Sequence, residues 1–586
     1  MSETASGLEW PVMSMADADA FITAPGTPLE TEEMVIRGTK MRVWKEAPAS
    51  LRALLEISRG HGDHVAVVYE GERITYKDQH RAIAKLAHEL VTTYGIKKGD
   101  RVGLVMRNYP EWPMIFWAAT SIGAIIVPLN AWWTGAELEY GLNDSGCRLV
   151  FVDTARARSL AEHADNLTAC EHMVVVRGED DLSPHLVRWE KLVAAPGTYG
   201  ELPDIDVPEC EIASEDDATI FYTSGTTGKP KGALGTHRNI LSNVMGLMSI
   251  GARAMMRRGE MPTPPDPDAP KTGMLLSVPL FHVTGCHAIL LGTTLQGNKL
   301  VIMHKWDALR AMELIQDEKL ASFGGVPAMV WQVLEHPRFK EFDLSTVESI
   351  GYGGAPSAPE LVARMKEEFP NVSAANGYGL TETSAAISQN SAEDYFNRPN
   401  SAGVPTAVTD VRIVGDNGKD LPIGEIGELW VRGPNVVKGY WNKPEATEES
   451  FGGGWFRTGD LVKTDEEGFL YILDRAKDML IRGGENVYCV EVEDALYSHD
   501  DVMDAAVVGI PHKILGEEVG AIVQVVAGSK LTEESLQAHV GTALAGFKVP
   551  IKIEFRNEPL PRNANGKIVK RDLKVEFLAN IGRSEA

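Results

Sequence analysis

The 586-residue chain carries 57 Lys and Arg against 82 Asp and Glu, a formal net charge of −25, with 44% hydrophobic and 24% charged residues. That much apolar surface excludes intrinsic disorder, and the length suggests a few domains at roughly 150 residues each. The acidic balance argues against nucleic acid as a partner and against adsorption on an anionic membrane; an anionic ligand would need cations gathered locally against the global field.

The opening Met-Ser-Glu-Thr-Ala-Ser has neither a basic nor an apolar region, so no signal peptide is expected. From about Pro48 onward, strand-like and helix-like runs alternate: Arg101 to Met106, then Trp112 to Gly123, then Ala124 to Leu129. This pattern predicts α/β architecture with parallel strands. The most apolar run, Met114 to Val127, is shorter than the ~18–20 residues that span a bilayer and reads as a buried helix entering a buried strand. Met261 to Lys271, rich in proline, reads as a surface loop. The five cysteines are scattered without a C-x-x-C pair, which fits a reducing compartment and no structural zinc. After strand Phe469 to Leu473 the grain changes. A helix over Val490 to Tyr497, strands over Asp504 to Gly509 and Ala521 to Val526, a helix capped by Thr532, and a strand over Ile551 to Phe555 describe a small α+β unit.

The most informative segment is Thr223-Ser-Gly-Thr-Thr-Gly-Lys-Pro-Lys-Gly232, between an apparent strand (Ala218 to Tyr222) and a helical run from about Asn239. Its glycines let backbone N–H groups converge, and its hydroxyls and lysines add donors and charge, a composition suited to polyphosphate. Pro230 after Lys229 breaks the Walker A pattern, and on composition alone a flexible connector remains open. Ser224 does not sit in G-x-S-x-G, so a serine hydrolase is excluded. Gly377-Tyr378-Gly379 sets a ring between glycines, suited to purine stacking; Glu382 replaces the third glycine of a Rossmann fingerprint.

Thr223 to Gly232 resembles the phosphate loop of the adenylate-forming superfamily: acyl-CoA synthetases, firefly luciferase and the adenylation domains of peptide synthetases. Further stretches match in order: Tyr352-Gly-Gly-Ala-Pro356, Asn376-Gly-Tyr-Gly-Leu-Thr-Glu382, Trp455-Phe-Arg-Thr-Gly-Asp460, Asp474-Arg-Ala-Lys-Asp478 and Asn565-Gly-Lys567. The match covers about Pro48 to Leu573, and it is closest to medium- and long-chain fatty acyl-CoA or aryl-CoA ligases. It implies a large N-terminal multi-subdomain α/β domain (1–474) bearing the ATP and acid sites. A small mobile C-terminal α+β domain (475–586) follows, with a hinge near Lys477.

The resemblance assigns ATP binding to Thr223, Ser224, Gly225, Thr226, Thr227, Gly228, Lys229, Gly354, Ala355, Pro356, Asn376, Gly377, Tyr378, Gly379, Asp460 and Arg475. Within that set Tyr378 would stack on adenine, and Asp460 and Arg475 would meet the ribose. Thr381 would touch the α-phosphate, and Glu382 with Thr226 would hold Mg²⁺. Lys567 would bridge the substrate carboxylate and the α-phosphate; read alone, Asn565-Gly566 is a hairpin turn and Asp460 a turn aspartate. After adenylation the small domain would rotate, bringing Gly483, Gly484 and Glu485, with His237, to a coenzyme A tunnel. Phe281-His282 occurs where amino-acid-activating relatives carry Phe-Asp, and Gly379 where acetate-activating relatives carry a tryptophan. An aliphatic or aryl acid is therefore expected, in a slot lined by Phe281, His282, Val283, Thr284, Gly285, Tyr352 and Gly379. The expected protein is a stand-alone, cytoplasmic AMP-forming acyl-CoA ligase without a transmembrane segment, with a homodimer as an admissible assembly. The rivals are a ligase passing the acyl group to an amine or carrier protein, and a non-catalytic nucleotide binder.

Overall fold

The computed structural model describes residues 10–584 apart from 180, 181, 184, 185, 224–228, 263–270, 355, 356, 358, 477, 484, 527 and 563–567. Most of the surface loop expected over 261–271 therefore lies outside the described residues. Among the described residues no helix is long and apolar enough to cross a membrane.

Two large sheets share one interior. The first runs Lys231–Thr236, Asp217–Thr223, Ile125–Pro128, Arg101–Val105, Leu149–Asp153, His172–Val176, Val187–Arg188, parallel except at the hairpin edge. The second has a parallel centre of Ser373–Leu380, Ser349–Gly353, Ser322–Gly325, Gly273–Leu276, Lys299–Ile302 and Val65–Tyr69, closed by antiparallel strands at both edges. Helices Leu51–Ser58, Tyr76–Thr92 and Glu111–Ser121 fill the space between, and their side chains join strand residues of both sheets in one core. Glu111–Ser121 is buried along its whole length and apolar from Trp112 to Ala119, as a helix between two sheets must be. Its one carboxylate, Glu111, is neutralised by Arg177 at 2.9 Å, which also holds Glu72 at 2.7 Å. Further helices cover the outer faces, giving five alternating layers.

A four-stranded antiparallel sheet follows, Asp410–Val414, Gly427–Arg432, Phe456–Thr464 and Leu470–Arg475. The C-terminal unit is a second α+β layer: strands Leu480–Arg482, Glu485–Val487, Val502–His512, Gly516–Val525 and Lys552–Arg556 in one sheet. Helices Cys489–Tyr497 and Glu533–Ala543 pack on one face and Lys570–Ser584 on the other. Thr532 caps Glu533–Ala543 as expected, accepting from the Ser535 amide at 3.2 Å. The chain passes into this unit from Leu470–Arg475, and Asp474 accepts from the Cys489 amide at 2.5 Å, capping the first helix of the unit across the junction.

Before all of this, residues 10–47 form a helix, Met15–Ile22, and a hairpin, Thr31–Ile36 with Thr39–Trp44. Both lie against helix His237–Arg257, where Ala18, Ile22 and Trp44 pack with Met245 and Met256.

Close backbone packing in the second sheet depends on glycine. A Cβ at Gly324 would stand 1.6 Å from the Gly351 carbonyl oxygen, whereas one at Gly351 meets nothing within 4 Å. Gly324→Ala should therefore lower stability by about 2 kcal/mol or more and depress the apparent Tm, with Gly351→Ala near wild type in the same calorimetric scan.

Candidate active site

The phosphate-loop candidate connects the two strands of a hairpin, with Thr223 opposite Lys231. Ser224, Gly225, Thr226, Thr227 and Gly228 lie outside the described residues. On the far side, the Lys229 ammonium stands 4.7 Å from the centre of the Tyr140 ring, whose hydroxyl donates to the Pro230 carbonyl at 3.0 Å. Lys231 stands 4.9 Å from the Tyr440 ring. Two cations on aromatic faces thus flank the loop of a strongly acidic protein.

Segment 437–441 is zipped onto the hairpin. Leu234 donates to Gly439 at 2.9 Å, Lys438 to Leu234 at 3.0 Å and Trp441 to Gly232 at 2.7 Å, all through backbone amides. The same segment holds Glu382: the Val437 amide donates to the Glu382 carbonyl at 3.0 Å, and the Tyr440 hydroxyl to Glu382 Oε1 at 2.8 Å. Burial, reinforced by that carboxylate, raises the Tyr440 pKa well above the ordinary phenol value. Among the described residues Glu382 Oε2 accepts nothing, so one oxygen of the pair is oriented while the other stays available. The sequence marks Lys231 as one of the two lysines of the phosphate-loop segment but gives Tyr440 no role; its signal is a tyrosine–tryptophan pair in a segment punctuated by Gly433, Pro434 and Gly439.

Glu382 and Thr381 occupy a 3₁₀ turn at the end of strand Ser373–Leu380. In that strand Asn376 lies beside Tyr352 and Gly377 beside Gly353 of the parallel neighbour. A Cβ at Gly353 would be 2.4 Å from the Gly377 carbonyl oxygen, and Gly354 turns the chain out of the sheet at φ +77°. Ala355 and Pro356 lie outside the described residues. Ser384 and Ala385, just after the turn, adopt φ of +57° and +123°, a strained backbone for non-glycine residues.

Tyr378, Asp460 and Arg475, far apart in sequence, form one set. The Tyr378 hydroxyl donates to Asp460 Oδ2, and Arg475 Nε lies 2.8 Å from Asp460 Oδ1. Asp460 and Arg475 are register partners in the four-stranded sheet. Burial works against the Arg475 charge, but Asp460, with Tyr378 and Glu382, outweighs it and the pKa lies above the ordinary arginine value.

Phe281 is buried, with its ring edge-on to exposed Trp132 (6.3 Å) and to His282 (4.6 Å). Val283 is buried, and exposed Thr284 opens a π-helical segment to Leu290, a distortion that recurs at functional sites. Gly285 within it leaves no room for a side chain, since a Cβ would lie 2.3 Å from the Pro279 carbonyl oxygen.

Three expectations change on the structure. Tyr352 does not line an open slot: its hydroxyl meets Tyr395 at 2.7 Å and Ser357 at 3.1 Å inside a hydrophobic core, because strand alternation turns it inward. At Gly379, absence of a side chain is dictated by the sheet, since a Cβ would stand 1.6 Å from the Ala385 carbonyl oxygen at a register shift. His237 is fully buried, with Nδ1 accepting from the Leu51 amide at 3.1 Å, so among the described residues it fixes the start of helix Leu51–Ser58 and reaches no surface. In the C-terminal unit Gly483 holds φ +61° at a turn between short strands and Glu485 is exposed. Lys477, Gly484 and Lys567 lie outside the described residues. The flanks of 563–567 are anchored: Arg562 bridges Ile568 and pairs with Asp504 at 2.5 Å, and Lys570 pairs with buried Glu493 at 2.7 Å.

Two helix-covered sheets, a hairpin loop framed by lysines and a separate C-terminal α+β unit are the architecture that a resemblance to adenylate-forming enzymes implies. Comparison with known proteins agrees. The AMP-binding enzyme family matches residues 54–441, and its C-terminal domain matches 491–567. A feruloyl-CoA synthase of Amycolatopsis sp. is 34% identical over 87% of this chain and 96% of its own length. A long-chain-fatty-acid–CoA ligase of Mycobacterium tuberculosis is 34% identical over 87% and 94%. The crystal structure of the anthranilate CoA ligase AuaEII with anthranoyl-AMP superimposes with a TM-score of 0.78 at 25% identity, covering 90% of this chain and 97% of that one. The chain belongs to the AMP-binding enzyme family.

Burial lowers the pKa values of His237 and His287 to about 4. Unfolded, each would titrate near 6.5. Between these values the unfolded chain binds more protons, so each histidine removes stability as pH falls from 6.5 towards 4, by up to ~3 kcal/mol. His237→Asn, which keeps an acceptor for the Leu51 amide, should flatten the decline of the urea midpoint over that range. An unchanged slope would contradict this assignment.

Proposed function

We propose that the protein joins a carboxylic acid to coenzyme A in two steps on one site. A carboxylate oxygen attacks the α-phosphorus of ATP, the bond to the β-phosphate breaks, and pyrophosphate leaves. The coenzyme A thiolate then attacks the acyl carbonyl of the mixed anhydride and AMP leaves. The protein is an ATP-dependent, AMP-forming carboxylate–CoA ligase of the adenylate-forming class. Relatives named for an aryl acid and for long-chain fatty acids support an aryl or aliphatic substrate.

The observation that carries the residue assignment is the attachment of Glu382 to the phosphate-loop hairpin through Val437 and Tyr440. A half-exposed carboxylate with one oxygen fixed and the other open fits Mg²⁺, which takes one or two carboxylates alongside phosphate oxygens. Bound there, the ion would neutralise charge on the departing pyrophosphate. Thr226, Thr381 and the loop amides would hold the phosphates, with Lys229 and Lys231 supplying the field. Asp460 and Arg475 would accept and order the ribose, while the Tyr378 ring, tied by its hydroxyl, would present a face to adenine.

Phe281, His282 and Thr284 would border the acyl group. Lys567, carried between anchored flanks, would place an ammonium against the equatorial charge that develops at phosphorus. The domain boundary would fall at 474/475, with rotation near Lys477 exchanging Lys567 for the Gly483–Glu485 turn and its coenzyme A path. A cytoplasmic setting, where ATP and coenzyme A coexist, suits this chemistry.

Pyrophosphate release across a panel of aryl and aliphatic acids, with and without coenzyme A, tests the reading. AMP should accumulate at turnover only when coenzyme A is present; steady AMP release with an amine instead would assign the second step to amide formation. Lys567→Ala should cut the first step ~10²-fold or more while sparing thioester formation from supplied acyl-adenylate. Equal loss of both steps would contradict that division. Tyr440→Phe should leave folding intact and weaken the first step several-fold, read as a raised Mg²⁺ requirement.

A further inference from the structure

The hairpin Thr31–Ile36/Thr39–Trp44 precedes the segment that the family matches, which begins at residue 54. It touches three elements that carry the site. Trp44 Nε1 donates to the Ser242 carbonyl at 3.1 Å, on the helix that follows the phosphate-loop hairpin. At the tip, a Cβ on Gly454 would stand 2.8 Å from Thr39 Oγ1, so the tip is seated on the turn that leads into the Asp460 strand. Arg37 Nη2 donates to the Val436 carbonyl at 2.9 Å.

The turn residues themselves are informative. Arg37 and Gly38 hold φ of +50° and +79°, the pattern of a type I′ hairpin turn, which favours asparagine or glycine at its first central position. Arginine is a poor choice for that backbone. What it adds is reach, since its guanidinium meets the carbonyl immediately before Val437, whose amide holds Glu382. Asn239 Nδ2 donates to the same Val436 carbonyl at 2.9 Å from the other side, so both lone pairs are taken and the peptide plane is fixed. Arg42 adds an ion pair with Asp410 at 3.0 Å, and Asp410 in turn holds Arg432 at 2.9 Å at the entry to the same loop.

We infer that the amino-terminal hairpin is a positioning element of the nucleotide site, in which Arg37 acts through Val436 and Val437 to set Glu382 and Tyr440. This rests on the adenylating role proposed for Glu382. Arg37 is exposed as a residue, but its guanidinium is partly desolvated where it meets the Val436 carbonyl, so Arg37→Lys and the apparent Tm are needed to separate the effect on the site from an effect on packing.

The test uses the full-length enzyme with Arg37→Ala and Arg37→Lys. Arg37→Ala should raise the Mg²⁺ concentration for half-maximal pyrophosphate release three- to tenfold. It should also weaken ATP binding, measured by calorimetry, in the presence of Mg²⁺ but not in its absence. The apparent Tm and thioester formation from supplied acyl-adenylate should stay at wild type, and Arg37→Lys, which keeps a donor, should recover most of the loss. Wild-type Mg²⁺ dependence in Arg37→Ala would overturn the inference, as would an equal fall in both steps accompanied by a lower Tm. Failure of the wild-type enzyme to release pyrophosphate with any acid would instead remove the proposed function, while the binding titration would still report on Arg37.

Discussion

The site depends on a short stretch of backbone pairing between the phosphate-loop hairpin and segment 437–441. Three backbone hydrogen bonds there tie together parts of the chain some 200 residues apart. Backbone bonds of this kind are insensitive to side-chain identity, but they fix position to within tenths of an ångström once made. Through Val437 and Tyr440 the pairing delivers a carboxylate to the rim of a loop otherwise framed by cations. Without it, Glu382 would be an acidic residue on a turn. With it, one tyrosine, Tyr440, holds the carboxylate at its hydroxyl and Lys231 on its ring face.

The electrostatic arrangement follows the same economy. A chain of net charge −25 repels a polyphosphate at long range. The cations near the loop are held in place by aromatic faces or by carboxylates that remain partly engaged: Lys229 on Tyr140, Lys231 on Tyr440, Lys443 with Asp144 at 2.9 Å, Arg475 with Asp460. Each is ordered in advance, which lowers the entropy that a bound phosphate would otherwise cost.

Much of this was legible in sequence because the signals were local. The strands before and after Glu111–Ser121 are apolar runs bounded by turn residues, and their extents came within two residues of those observed. The helix after the phosphate loop begins earlier than Asn239, since Thr236 and Asn239 form a reciprocal capping box that moves the start to His237. What was not legible is long-range. Nothing near His237 or Tyr352 announces that Leu51 and Tyr395 will take their polar atoms, and nothing near Tyr440 names Glu382 as its partner 58 residues away. The hairpin before residue 47 is harder to read: Thr39–Trp44 does alternate, with Lys40 and Arg42 out and Met41 and Val43 in, but its partner Thr31–Ile36 has only one buried position and no alternation.

The wholly buried helix Glu111–Ser121 carries a consequence for how the protein is made. Its two roofs are completed at very different times, because strand Val65–Tyr69 pairs with Lys299–Ile302, more than two hundred residues downstream. A nascent chain emerging from the ribosome therefore displays this buried helix until synthesis has passed Ile302, with only the first sheet available to shelter one side of it. Biogenesis of this enzyme should accordingly lean on chaperones that recognise exposed apolar helices, and premature termination between the two sheets leaves a product bound for aggregation.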